Sequence, residues 1–377
     1  MHIAFNGWFW DQPNTGSGQY LRRLLASLRK IAPALKLTLV LPPGKSNPSD
    51  VPPDVEVVQT KGPGGKVGKV WFEQRIFPAT VRRVQADIAH VPYWGPPLTS
   101  PARLITTVLD MIPVVLPQYS PGLTGRLYTA LVSAAAPGSA HVLTISNAAR
   151  DDIVKHLNIP AESITTTYLG VDEAFHPRLG VERDADVRRR YNLPDRYIFY
   201  LGGFDVRKQV DQLLLAYTYV VQGQGDEVPL VLAGKEPQWG APLFPDLRKY
   251  AAELGIGDRV QWVGYVDEAD KPSLYRMAGV SVFPSVYEGF GLPLVEAMAC
   301  GTPTVGWDTP VSAEICGDGA YLVESARSMA GAILALLLQP SFRDAMVNQG
   351  LAQATRYSWR KTAQETLRVY EQVMTQG

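Results

Sequence analysis

Short apolar runs rich in β-branched residues recur roughly every 20 to 30 residues along this chain, and most lead through a turn into a helix-period segment. No other feature restricts the fold as strongly. Strands that alternate with helices pair in parallel, and the helices cover both faces of the sheet they form. The pattern opens with HIAFNGWF, the polar loop DQPNTGSGQ and the amphipathic YLRRLLASLRKI. Further strands are predicted at 35–41, at VEVVQT, and at 86–92, 103–110, 140–146 and 164–170. The basic, glycine-rich stretch 61–69 reads as a flexible loop, and VWFEQRIFPATVRRV after it as a helix interrupted by its proline. Ser146 or Asn147 is placed to cap the helix in SNAARDDIVKHLN.

A polar, proline-marked segment at 171–195 reads as a domain junction. A second series follows: RYIFYLGG, VPLVLAG, RVQWVG, VSVFPS, TPTVGW and a weaker GAYLV, with helices near 209–219, 242–254 and 271–277. At 377 residues the chain exceeds the usual single domain, so two α/β halves are expected.

Composition removes several function classes. Lys plus Arg and Asp plus Glu both number 36, which argues against a general nucleic-acid binder. The two cysteines, Cys300 and Cys316, lie outside any CxxC and cannot build a disulfide framework or a cysteine-rich zinc site. Cys300 closes an apolar helical segment and reads as a buried small residue, in keeping with a reducing cytoplasm. MHIAFNGWFW does not read as a secretory signal, and MAGAILALLLQP is too short to span a bilayer. Peripheral attachment to a membrane needs no spanning segment and stays open. The five histidines show no metal-ligand spacing. His90, beside Tyr93 and Trp94, belongs to an aromatic cluster that either stacks on a sugar or lipid-linked acceptor or simply packs.

Four segments carry chemistry. In SVFPSVYEGFGLPLVEAMACGTPTVGW, a strand runs through a glycine-interrupted loop into a helix. Gly289 and Gly291 flank Phe290, Pro293 suits a helix start, and the amides from Phe290 to Leu292 can bind a diphosphate. Glu288 is better suited to neutral hydroxyls or a developing positive charge, and Glu296 to a ribose diol; the alternative is two ordinary solvated acids. In YLGGFDVRKQVDQLLLAY, Gly202 and Gly203 let the backbone approach a ligand, and Arg207 and Lys208 suit phosphate unless they are a solvated pair. Gly16 and Gly18 precede a helix and can cradle phosphate or sugar, without forming a full dinucleotide fingerprint. Asp110 ends a strand, where it orients or deprotonates a hydroxyl or else caps a turn.

These motifs together resemble the retaining glycosyltransferases of family 4, also called glycosyl transferases group 1, mannosyltransferase-like members included. VYEGFGLPLVEAMACGTPTV is similar to that family's E-x7-E signature, and LGGFDVRKQVDQLLLAY to its phosphate-binding segment. LTISNAARDDIVKHL and YLGVDEAFHP resemble the stretch that leads to the hinge. The resemblance implies a GT-B fold, with two Rossmann-like α/β/α domains facing a deep cleft. It places an acceptor-side domain at 1–175, with 360–377 packing back onto it, and a nucleotide-sugar domain at 176–359.

It further implies that Glu288, Lys208, Arg207 and Asp110 act in catalysis. Glu288 would contact the donor sugar, Glu296 the ribose, and the backbone of Gly289, Phe290, Gly291 and Leu292 the sugar and diphosphate. Arg207 and Lys208, beside Gly202 and Gly203, would neutralise the diphosphate, and Gly16 and Gly18 would approach it. The base would lie near Val263, Tyr265 and Val266. Two departures stand out: Gly203 where many relatives carry arginine, and Leu109 where many carry histidine before the acid.

The implied reaction is hexosyl transfer, mannosyl in the first place, from a GDP- or UDP-sugar to a hydroxyl of a sugar or lipid-linked glycan in polysaccharide assembly. No cofactor, metal or nucleic acid is expected. The implied setting is the cytoplasm, with room for peripheral contact at the inner membrane face. A sugar-nucleotide epimerase, a phosphorylase of similar fold, or an inactive sugar-nucleotide-binding protein are the competing readings.

Overall fold

The computed structural model describes residues 1–45, 48–224 and 228–375. The chain divides into two compact units, 1–170 with 358–377 and 171–357. Among the described residues each unit is built on one parallel sheet.

The first sheet has seven strands: β1 (His2–Asn6), β2 (Lys36–Leu41), β3 (Val55–Gln59), β4 (Ile88–Val91), β5 (Arg103–Val108), β6 (His141–Thr144) and β7 (Ile164–Thr166). Their order is β3-β2-β1-β4-β5-β6-β7. The central strands are buried along their whole length because helices cover both faces. The helix Gly16–Ile31 follows β1, capped by Thr15, which accepts from the Gly18 amide. Ser146 accepts from the Ala149 amide and caps Asn147–Leu157. The last helix, Trp359–Thr375, belongs to this unit: the Thr362 hydroxyl donates to the Tyr168 carbonyl, and Tyr370 reaches His90 on β4.

Two readings of this half are corrected. The stretch 61–69 is a loop only at its start, because a helix begins at Gly65 and runs to Trp71. Its Gly68 is required there, since a Cβ would stand 2.3 Å from the Pro63 carbonyl oxygen. Pro78 does not interrupt the following helix. The chain widens into a π turn at Phe72–Ile76, and Pro78 then sits in the first turn of Phe77–Arg83, where a missing N–H costs little.

The second sheet has six strands: β8 (Ile198–Leu201), β9 (Leu230–Ala233), β10 (Val260–Gly264), β11 (Val280–Phe283), β12 (Thr304–Trp307) and β13 (Tyr321–Val323), in the order β10-β9-β8-β11-β12-β13. The helices Val210–Gln224 and Ala326–Leu338 pack on one face and complete its core. The segment read as a junction is an integral part of this unit. Its helix Asp184–Arg190 is held by Asp184 to Arg276 at 2.6 Å, and its arginines Arg183 and Arg190 pair with the fully buried Asp270. Among the described residues no helix is long and apolar enough to cross a membrane.

Candidate functional site

In the second sheet the winding direction reverses between β8 and β11, which are direct neighbours. Loops leaving the carboxyl ends of two such strands diverge, and ligands of open α/β sheets bind in the crevice so formed. The loop after β8 carries Gly202 to Lys208, and the loop after β11 carries Ser285 to Gly291. The Val286 amide donates to the Arg207 carbonyl at 3.0 Å and ties the two loops together.

Three charged side chains meet there. Arg207 donates to Glu288 Oε1 at 2.6 Å and to the Tyr287 carbonyl at 2.7 Å. Lys208 Nζ lies 2.5 Å from the same Oε1 and 5.1 Å from the centre of the Phe283 ring. Ser285 adds a third donor to Oε1 at 2.6 Å. Asp205 stands 3.5 Å from Arg207 Nε. Burial alone would raise the Glu288 carboxyl, but the Lys208 and Arg207 charges outweigh it and hold the group below the ordinary carboxylate range. Glu288 is therefore an anion with one oxygen saturated. Among the described residues Oε2 receives no hydrogen bond, and it is left to accept from a hydroxyl.

Gly291, at φ +86°, turns the chain into the helix Leu292–Ala299, with Pro293 in the first turn. Phe290 is buried edge-on against Tyr357, 5.5 Å between centroids, which fixes the turn that presents the helix amides. Glu296 lies inside that helix, buried, and its Oε2 accepts from the Tyr275 hydroxyl at 3.2 Å.

Gly202 and Gly203 continue β8. A Cβ on Gly202 would come within 2.7 Å of the Tyr200 hydroxyl, and one on Gly203 within 3.3 Å of Asp205. Gly234, just past β9, donates its amide to the Gly264 carbonyl, so three neighbouring strand ends close together. Gly264 takes φ +71°; after it Tyr265 is half exposed and Val266 buried, with Val263 preceding it in β10.

In the first unit the structure separates Gly16 from Gly18. Gly16 opens the helix in free space, whereas a Cβ on Gly18 would stand 2.0 Å from the Gln12 carbonyl oxygen. Asp110 follows β5, and its Oδ1 accepts from the Ile112 amide at 3.0 Å, the turn-capping role. It also lines a cavity of about 210 Å³ with Leu109, Tyr93 and Trp94.

Lys69 and Glu73 line or floor the same region, and sequence reading passed them over. Glu73 sits in the π turn, fully buried, accepting from the hydroxyls of Tyr93 at 2.8 Å and Tyr128 at 2.9 Å. Lys69 stands 3.7 Å from it, one helical turn earlier. Burial pushes the Glu73 carboxyl up to about 7, against the pull of Lys69 and the two hydroxyls. The available signal was a K-x-x-x-E spacing whose acid falls within the apolar run VWFEQRIF.

Comparison with known proteins bears on both halves. The family described as Glycosyl transferases group 1 matches residues 183–353, and Glycosyltransferase Family 4 matches residues 15–175. The O-antigen chain mannosyltransferase B of Escherichia coli is 31% identical over 285 residues, covering 74% of each chain. Among solved structures, sucrose-phosphate synthase from Thermosynechococcus elongatus superposes with a TM-score of 0.76 at 21% identity over the whole of both chains. Anabaena HepE in complex with UDP and glucose gives 0.75 at 17% identity, over 98% of this chain and 99% of that one. At those identities the structural likeness speaks for the fold, two parallel-sheet α/β units of the GT-B class.

Proposed function

The chain belongs to glycosyltransferase family 4, and from that premise we propose that it is a retaining hexosyltransferase. It moves a hexose, mannose in the first place, from a nucleoside diphosphate sugar to a hydroxyl of a growing glycan. The observation that carries this reading is the junction of Arg207, Lys208 and Glu288 at the switch point of the second sheet.

As the bond from the anomeric carbon to phosphate breaks, negative charge grows on the departing diphosphate. Arg207, Lys208 and the amides at the start of Leu292–Ala299 meet that charge as it forms, which lowers the barrier more than it tightens ground-state binding. Glu288 holds both cations by one oxygen and offers the other to a hydroxyl of the donor sugar. The acceptor oxygen bonds to the anomeric carbon on the face the phosphate leaves, and the acceptor proton passes to the departing phosphate oxygen. Retention follows from attack on that same face. Glu296 takes the ribose, and the turn at Val263 to Val266 the base. The mannosyl assignment is supported by the name of the Escherichia coli relative, and a nucleotide donor by HepE, whose structure contains UDP. A lipid-linked acceptor would bring the enzyme peripherally to the inner membrane face.

The test is incubation with GDP-, UDP- and ADP-sugars and a panel of glycoside acceptors, with the product's anomeric configuration read by NMR. Acceptor-dependent glycoside formation with retention, lost in Lys208→Ala and Glu288→Ala, is expected. Full activity in both variants overturns the site. Turnover of donor without an acceptor alcohol marks an epimerase, dependence on free phosphate a phosphorylase, and nucleotide binding without turnover an inactive binding protein.

A further inference from the structure

Residues 234–246 link β9 to the helix Leu247–Glu253. Because β9 lies between β8 and β10 in the sheet, this loop emerges between the loop that carries Arg207 and Lys208 and the turn at Val263 to Val266. It is bonded to both. The Val206 amide, one residue before Arg207, donates to the Leu243 carbonyl at 2.8 Å, and the Gly234 amide donates to the Gly264 carbonyl at 2.8 Å. The Trp239 ring meets both flanks as well. Its centroid lies 5.5 Å from that of Phe204 and 5.7 Å from that of Trp262, the latter contact edge-on, while Phe204 and Trp262 are themselves 5.5 Å apart. Phe204 is a buried member of the loop after β8, and Trp262 stands in β10 just ahead of Val263.

Among the described residues, the regular pairing inside 234–246 is one bridge between Ala241 and Phe244. A side-chain clasp holds Trp239 in place. Its indole N–H donates to Glu236 Oε2 at 3.2 Å. Arg248, from the helix Leu247–Glu253, donates Nε to the same oxygen at 3.0 Å and Nη2 to Oε1 at 2.6 Å. The Arg248 guanidinium also lies over the Trp262 ring, 4.8 Å from its centre. Thus one carboxylate orders both the indole on its own loop and the cation that stacks on the next strand.

The exposure of this pair points to what it is for. The Arg248 side chain is 47% exposed and that of Glu236 32%, and an ion pair so open to water adds little to folding stability. Its two-pronged geometry fixes orientation instead. Orientation is what Arg207 and Lys208 require. They stand on a loop, and cations that meet growing charge lose about a hundred-fold in rate when displaced by 1 Å. From the β11 side the Val286 amide steadies the Arg207 carbonyl. From the β9 side the steadying contacts are Leu243 and Trp239.

We propose that Trp239 is a positioning residue of the donor site, clamped by Glu236 and Arg248, and that it sets where Arg207 and Lys208 stand relative to the turn at Val263 to Val266. The assignment rests on the glycosyltransferase reading above.

The experiment follows hydrogen exchange and steady-state transfer on the full chain in the wild type, Trp239→Leu, Trp239→Phe and Glu236→Gln. Rates are normalised to the sites counted by GDP or UDP titration, so an unfolded fraction does not pass for lost turnover. Trp239→Leu should speed exchange across 203–208 by about ten-fold while β8 and β11 stay as protected as in the wild type. Its kcat should fall about ten-fold, with the donor KM changed by less than about two-fold, because the cations still bind the ground state but no longer meet the growing charge. Trp239→Phe keeps the ring contacts and should recover most of the rate. Glu236→Gln keeps an acceptor for the indole but loses the ion pair, so its kcat should drop about three-fold with the same loosening of 203–208. Lying at the surface, it decides the matter alone if Trp239→Leu does not fold. Wild-type exchange across 203–208 in the folded variants overturns the clasp, whether or not the chain turns over. A loosened loop with wild-type kcat overturns the positioning role and leaves the glycosyltransferase reading intact. A wild type that forms no glycoside from any GDP-, UDP- or ADP-sugar overturns that reading, and the catalytic role of the clasp with it.

Discussion

His90 and Tyr370 lie 280 residues apart in sequence, and the His90 Nδ1 is 2.6 Å from the Tyr370 hydroxyl oxygen. On the other side of the ring, Nε2 meets Thr107 at 2.8 Å, and Thr107 meets Tyr20 at 3.2 Å. The bond fastens the final helix to the middle of the first sheet. It also places an imidazole where water does not reach, and burial lowers its pKa to about 3 from an ordinary 6.5.

Acid should therefore loosen the first unit. Below pH 6.5 the unfolded chain takes up a proton that folded His90 refuses, so stability falls as pH drops and is unaffected above 6.5. By pH 4 the loss from this group is about 3 kcal/mol. His2 and His141 are lowered as well, so the informative quantity is a difference. Urea titrations of wild type and His90→Gln between pH 4.5 and 7.5 should give slopes that differ by about one proton. Equal slopes would show that His90 already protonates in the folded chain.

Glu288→Gln should separate binding from turnover. The substitution removes the anion that Arg207 and Lys208 share through Oε1. Among the described residues Asp205 then stays 3.5 Å from Arg207 Nε, while the charge that Glu288 offset is released. Affinity for a nucleoside diphosphate should rise several-fold, while transfer falls by about a hundred-fold because the donor hydroxyl loses its acceptor. Calorimetry and initial rates on the same preparation check both arms. Weaker nucleotide binding in Glu288→Gln would mean that the carboxylate organises the cations rather than quenching them.

The strands and most helices were legible because each is set by residues near it in sequence. The run VSVFPSVYEGFGLPLVEAMACGTPTV shows β11, its loop, its helix and β12 almost residue by residue. The pairing of Arg207 with Glu288 was not legible, because it spans 81 residues and depends on β8 and β11 becoming neighbours in register Ile198 to Val280. Glu73 was hidden for another reason. Its burial depends on Tyr93 and Tyr128, whose hydroxyls fold onto it from 20 and 55 residues away, contacts that no local pattern announces. Asp110 takes the turn-capping one of its two readings, and it also lines a cavity.

Gly16 and Gly18 should answer substitution differently although both stand in one loop. A Cβ on Gly18 meets the Gln12 carbonyl carbon and oxygen, backbone that cannot step aside, so Gly18→Ala should destabilise the first unit by about 1 to 3 kcal/mol. Gly16→Ala meets nothing and replaces glycine by a better helix former at the first helical position. It should fold as well as the wild type. Thermal melts of the two variants decide the structural half of this. If the loop also approaches the donor phosphates, Gly16→Ala raises the donor KM with its stability intact, and an unchanged KM would free Gly16 of that role.

Glu73 predicts a pH response opposite in sense to that of His90. Its folded carboxyl titrates near 7, against an ordinary 4.5, because burial outweighs Lys69 and the hydroxyls of Tyr93 and Tyr128. Between those values the folded chain keeps a proton that the unfolded chain has released. Stability from this group is thus full below pH 4.5, declines as pH rises to 7, and is flat beyond. The whole decline is at most about 3 kcal/mol. The titratable groups that face it are Lys69, from the preceding helix, and the two tyrosines, which burial keeps neutral far above this window. Glu73→Gln cannot ionise, so its stability should lose this downward component, and the difference between the two curves should widen steadily from pH 5 to 7 and then hold. A constant difference across that range would place the Glu73 proton equilibrium where an exposed carboxylate has it, and would mean that Lys69 approaches more closely in solution than the 3.7 Å seen here.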